Sequence, residues 1–324
     1  MKKSTFMLGV VSLGLLAFVS CKKTENAASF QAISAPFEVV DDERAYLDAT
    51  NRINFEQGDI AKMFNISNTA SESECADYVA TATGTNVVFH TTSNMTTQRK
   101  DGFYAFFPAE NVTPDLANEN RATFEVSPVQ EYYEVDGRPS FSKKDMYMAS
   151  KAENVDDINN ATFKFESIMG VLRLKYYTTG DVKTIRSIKI VDKAFNLSGD
   201  VNLKVDAVTN ENLMAIVEAY DPSNPAASAD AINAYKEMIG YNVTNAGTSI
   251  TLDFGENGYT LSDSASNPSM FYFVLRPLAL THGYYVYVTT MDNVEHLAID
   301  SNSNKKIKPN TIRSIGAVNL VNAL

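Results

Sequence analysis

The chain has 324 residues, 44% of them hydrophobic, which suffices for one large or two ordinary domains with a substantial core and argues against disorder. Its formal charge of −11, from 28 basic and 39 acidic residues, repels a phosphate backbone and argues against nucleic acid as a partner. Two cysteines, Cys21 and Cys75, cannot build a disulfide framework, and His90, His282 and His296 show no metal-ligand spacing, so no cofactor, metal or catalytic role is expected. The aromatic residues, 16 Tyr and 18 Phe with no Trp, suit half-buried pleated surfaces and lean towards an all-β, non-enzymatic protein.

Lys2 and Lys3 precede an apolar run from Phe6 to Val19, shorter than the roughly 20 residues a bilayer core needs, and this predicts a signal peptide over 1–20. Ala17-Phe18-Val19-Ser20-Cys21 resembles a bacterial lipoprotein cleavage box, which places lipid on Cys21. Two or more acyl chains give stable anchoring where one does not. With Cys21 lipidated, Cys75 has no partner within the chain and reads as a structural free thiol. Residues 21–44 are polar and then acidic, a tether with one apolar patch at Phe37-Glu38-Val39-Val40 that predicts a short strand.

Alternating runs follow at Asn86–Phe89, Ala122–Val126, Val201–Val205 and Ser249–Phe254, the period-two pattern of antiparallel sheets with one buried face. Heavier runs at Phe103–Pro108, Phe271–Pro277 and Tyr284–Met291 predict central strands. Asp136-Gly137 and Gly180-Asp181 predict hairpin turns. Within Phe163–Leu174 the apolar phase slips, which predicts a bulge between Ser167 and Gly170. One helix is expected, Ala229–Met238, with Ile232, Tyr235 and Ile239 on one face, inserted between two strands. The acidic, Asn-rich stretch 154–160 predicts a boundary between an N-terminal sandwich at 45–160 and a C-terminal one at 161–324.

Ordered motifs then carry a family likeness. Arg44-Ala45-Tyr46-Leu47-Asp48, Asn51-Arg52-Ile53-Asn54-Phe55 and Gly58-Asp59-Ile60-Ala61-Lys62-Met63-Phe64 are followed in turn by Phe103–Pro108, Met146–Ala149, Phe163–Leu174, Ile188–Ile190, Leu197-Ser198-Gly199, Phe271–Pro277 and Ile307–Ile312. In this order, behind a lipoprotein signal, they resemble the fimbrillin-like surface proteins of Bacteroidales from Arg44 to Leu320. Phe55 stands where the family often has Trp, and 221–240 departs from its pattern. The resemblance implies an all-β fold of two tandem transthyretin-like antiparallel β-sandwich domains. It further implies a pilus subunit or accessory adhesin at the outer membrane, whose partners are other pilus subunits and a host or bacterial surface. Cleavage after an arginine, matched by Arg44 with Arg52 as second choice, would remove the lipidated segment and its strand, and a strand from a neighbour would fill the groove.

A second functional class stays open, a surface glycan-binding lipoprotein of a polysaccharide-uptake system, which would keep its N-terminal segment as a tether. Asp41-Asp42, Asp156-Asp157 and Asp300-Ser301-Asn302 are weighed as calcium ligands, but none has the spacing of a dedicated loop, and solvated acids are the simpler reading. Tyr132-Tyr133 and Tyr284-Tyr285 each present at most one ring to a sugar, because neighbours on a strand face opposite ways. The C-terminal stretch Ile315–Leu324, with Val318 and Leu320 at period two, is a candidate donor strand, or else closes the second sandwich.

Overall fold

The structure is a computed structural model that describes residues 28–40, 52–91, 93–116, 120–135, 137–153, 155–240 and 246–324. Cys21, Arg44, Asp41-Asp42, Asp136, Asn154 and the signal segment 1–20 lie outside the described residues. In chain order the first strands are β1 (Ser29–Ser34), β2 (Glu38–Val40), β3 (Ile60–Ile66), β4 (Glu74–Ala80), β5 (Asn86–His90), β6 (Gly102–Phe107), β7 (Thr113–Asp115) and β8 (Arg121–Val126). They continue with β9 (Val129–Glu131), β10 (Tyr133–Val135), β11 (Arg138–Ser140), β12 (Met148–Ala152), β13 (Thr162–Ser167), β14 (Gly170–Tyr177), β15 (Thr184–Asp192) and β16 (Gly199–Lys204). After helices α1 (Asn210–Ala219) and α2 (Pro225–Ile239) come β17 (Ser249–Asp253), β18 (Tyr259–Thr260), β19 (Ser269–Leu275), β20 (Tyr284–Thr290), β21 (Glu295–Ser301), β22 (Thr311–Ser314) and β23 (Val318–Asn319).

The all-β expectation holds at this level, with both helices confined to the connection between β16 and β17. Seven strands close into a barrel in the order β1-β13-β12-β6-β3-β4-β5. Outside it lie the sheets β19-β14-β22-β2, with β23 beside β14, and β21-β20-β15-β17-β9, with β18 beside β15, together with β16-β8-β7 and the hairpin β10-β11. A single apolar core cluster runs through barrel and sheets. Every residue of β6 is buried, as expected of a strand flanked by β3 and β12.

The expected boundary at 154–160 does not divide the sheets. β13 follows it yet sits in the barrel, while β8 and β9 precede it yet pair with β16 and β17. Period-two patterning marks a strand but not its partner, and these partners are distant in sequence. Nor are the sheets purely antiparallel, since β1–β13, β2–β22, β14–β22, β14–β23 and β9–β17 run parallel.

The phase slip at Ser167–Gly170 is a passage between sheets instead of a bulge. β13 ends there in the barrel and β14 begins in the next sheet, with Ile168 and Met169 both buried in the crossing. The Ser167 hydroxyl accepts from the Met169 N–H at 3.0 Å and so fixes the turn. Gly170 is needed because a Cβ there would run into the Lys308 carbonyl and Ile307. Gly180-Asp181 likewise joins β14 to β15 in a different sheet, whereas Gly137, at φ +71°, does close the β10–β11 hairpin.

The expected helix Ala229–Met238 is the body of α2, which begins earlier at Pro225 in the first turn, where a missing N–H costs nothing, under an Asn224 cap. α1 was not expected. Its cap is Thr209, whose hydroxyl accepts from Asn212 N, and its buried residues, Leu213 and Val217, are too few to mark a period-3.6 stripe.

Candidate functional site

The N-terminal segment holds two strands in two different places. β1 lies inside the barrel wall, parallel to β13 from Gln31↔Thr162 to Ser34↔Phe165 and antiparallel to β5 from Ser29↔His90 to Ile33↔Asn86. Both of its edges are therefore bonded. Phe30, Ala32 and Ser34 point inwards and are buried, while Gln31 faces out and donates to Asn86 Oδ1 at 2.8 Å. The Phe30 ring meets Phe163 at 4.8 Å, Tyr78 at 4.9 Å and Phe89 at 5.4 Å. Ser34 donates its hydroxyl to the Ile53 carbonyl at 2.6 Å, which satisfies a polar side chain in the core.

This strand escaped the sequence analysis. Its inward face is Phe, Ala and Ser, of which only one is large, and its outward face carries Ile33, so the alternation is present but weak.

β2 is the strand foreseen at Phe37–Val40, but it pairs outside the barrel. It adds a parallel edge to β22, with Glu38↔Thr311, Val39↔Ile312 and Val40↔Arg313. The predicted alternation holds: Phe37 is buried against Phe141 at 5.6 Å, Glu38 is exposed and Val39 is half-buried. Asn310 fastens the join. Its side-chain amide donates to the Pro36 carbonyl at 3.0 Å and its Oδ1 accepts from the Ser167 N–H at 3.2 Å. Its backbone carbonyl accepts from the Glu38 N–H at 3.0 Å, from a left-handed φ of +51° that Asn tolerates better than most residues.

The chain re-enters the described residues at Arg52, which is half-buried and stands directly before Ile53, the acceptor for Ser34. Phe55 then fills the barrel between Phe107 at 5.2 Å, Phe89 at 5.4 Å and Phe165 at 5.7 Å, the aromatic role expected at that position. Gly58, at φ +94°, and Asp59, whose carboxylate accepts from the Glu56 N–H at 2.8 Å, form the turn into β3.

The remaining candidates are engaged by neighbouring side chains or buried. Asp156 pairs with Arg99 at 3.3 Å, Asp157 accepts from Gln98 and Asn159, and Asp300 pairs with Lys193 at 2.6 Å; among the described residues no three potential ligands gather around a metal position. Cys75 is half-buried and burial pushes its thiol up, which disfavours the thiolate a nucleophile needs. Tyr284 is buried, and the ring of Tyr285 on the opposite face carries Lys193 Nζ at 4.4 Å, so neither offers a bare platform. The C-terminal stretch closes the second sheet system: Val318 pairs with Tyr176 and Leu320 is buried.

No family model and no curated protein matches the chain. Its structural neighbours include proteins from Bacteroides and Parabacteroides. A proposed cell adhesion protein from Bacteroides uniformis is 13% identical, with a TM-score of 0.47 over 90% of this chain and 94% of that one. Another from Bacteroides ovatus is 11% identical, with a TM-score of 0.46 over 91% and 93%. A fimbrial protein from Bacteroides ovatus is 10% identical, with a TM-score of 0.40 over 90% of this chain and 49% of that one. At this looseness nothing about ligands or assembly passes from them to this chain.

Proposed function

We propose that the chain is a subunit or accessory adhesin of a surface fimbrium, a structural protein without catalytic activity. It is exported as a lipoprotein through Cys21 to the outer membrane and assembled by strand exchange after cleavage at Arg44. The barrel and the sheets outside it are, on this reading, the family's two transthyretin-like units. The observation that carries the proposal is β1, a wall strand contributed by the one segment that a cut at Arg44 would detach.

Loss of that segment would leave the facing edges of β5 and β13 without partners and a vacant aromatic pocket between Tyr78, Phe89 and Phe163. Unpaired N–H and C=O groups along two edges are satisfied only by another strand. An incoming strand must match the inward pattern of large, small, small set by Phe30, Ala32 and Ser34. Arg44 suits a protease better than Arg52, since Arg52 abuts the folded barrel at Ile53.

Limited trypsin treatment of the purified precursor, followed by N-terminal sequencing and size measurement, tests this. Cleavage after Arg44 is expected to convert a monomer into a polymer or into an acceptor for a peptide patterned like β1. Cleavage that leaves a stable monomer indifferent to such a peptide would sink strand exchange and return the protein to the glycan-binding class, which keeps its tether.

A further inference from the structure

Away from the N-terminal strands, a cleft of about 660 Å³ opens beside β9, the end of β17 and the loop leading to β18. Its floor is aromatic. Tyr132 meets Tyr259 at 5.1 Å and Phe254 at 5.5 Å, Phe254 meets Tyr259 at 5.4 Å, and Phe271 backs all three. Its rim carries the exposed carboxylates Glu131, Glu134 and Asp253, and among the described residues no lysine, arginine or histidine lines it. Tyr132 donates its hydroxyl to Glu134 at 2.6 Å, which ties floor to rim. Val129, in the lining, is 50% exposed.

We propose that this cleft takes a lysine or arginine side chain presented by a partner polypeptide. The stem of such a side chain lies along aromatic rings while its head reaches the carboxylates, and a cation near a tyrosine face gains from the ring quadrupole. The same chemistry occurs within the chain, where Lys189 lies 4.9 Å from the Tyr287 ring and Lys193 lies 4.4 Å from that of Tyr285. Those tyrosines receive a cation from the chain beside them, whereas among the described residues the lining of the cleft supplies none. A polypeptide is favoured over a free amine by Val129, an exposed apolar residue of the lining that a small cation would leave uncovered. A neutral sugar fits poorly. Tyr132 meets its neighbours at 66° and 68°, so the rings form no continuous flat platform for a sugar ring, and three carboxylates without a compensating cation in the described lining favour a charged guest.

The test is calorimetric titration of tetralysine into the full chain, with maltotetraose as the neutral control. Glu134→Gln is expected to weaken tetralysine binding about fivefold or more. Glu110→Gln, which changes the net charge identically at an exposed residue beyond β6, should leave it within about twofold. Tyr259→Ala, which alters no charge, should weaken it by about tenfold. Should Tyr259→Ala fail to fold by circular dichroism, the matched Glu134 and Glu110 pair decides alone. Equal losses in the two glutamine variants would mean attraction to the acidic surface at large and would overturn the proposal. So would absence of tetralysine binding, or tighter binding of maltotetraose.

Discussion

β1 and β2 belong to one short segment, yet the protein holds them very differently. β1 has six residues with both edges bonded and its phenylalanine among three rings, whereas β2 has three residues bonded on one edge only, with Val39 half-buried. Retention of the segment therefore rests on β1, while β2 chiefly fixes where the chain goes next. Any strand that replaces the segment must compete with β1.

The sharpest test of that inequality is Phe30→Ala. Truncation of a fully enclosed phenylalanine costs about 3–5 kcal/mol, so denaturant unfolding should show a loss of that size, and a smaller one would mean that β1 matters less than its packing suggests. A second change lies outside both strands and serves as the reference. Burial, and then the neighbouring Glu131, raise the carboxyl of Asp145 from 3.8 to about 6. Between those values the folded protein holds a proton that the unfolded chain has lost, so stability falls as pH rises through that window and the cost is complete above it. Asp145→Asn should accordingly stabilise the protein at pH 7.5 by up to about 3 kcal/mol and by nothing at pH 3, as read from melting curves at the two values. The smallest effect belongs to Val39→Ala, expected at under about 1 kcal/mol for a half-buried edge residue. A loss equal to that of Phe30→Ala would erase the distinction between the two strands.

The positions of strands were legible wherever large residues alternate, as in Asn86–Phe89, Ala122–Val126 and Ser249–Phe254, all of which the structure places in β5, β8 and β17. β1 was not, because Ala32 and Ser34 occupy its inward face and small residues give no apolar signal. Partners were harder still. Gln130 is a polar residue of a short strand, and nothing in its neighbourhood announces that its side-chain amide donates to the Val274 carbonyl at 2.8 Å and accepts from the Val274 N–H at 3.0 Å. It thereby satisfies the outer edge of β19 and ties the two larger sheets together. Asn310 is similar, since its motif was visible but its contact with Pro36 spans most of the chain. The aromatic floor of the cleft was half legible, through Tyr132, whereas Phe254 reaches it through the pairing of β17 with β9 and Tyr259 through that of β18 with β15.

The route of the chain between barrel and sheets has a mechanical meaning. It leaves the barrel after β1, returns at β3, leaves again after β6, returns at β12 and departs finally after β13. A protein built as two beads on a string would yield under tension at the string, one bead extending while the other stayed whole. Here β8 and β9, which lie between barrel strands in the sequence, are bonded to β16 and β17, so parting the barrel from the sheets shears both pairings. A chain laced in this way couples the barrel to the sheets, so that a load on one is passed to the other.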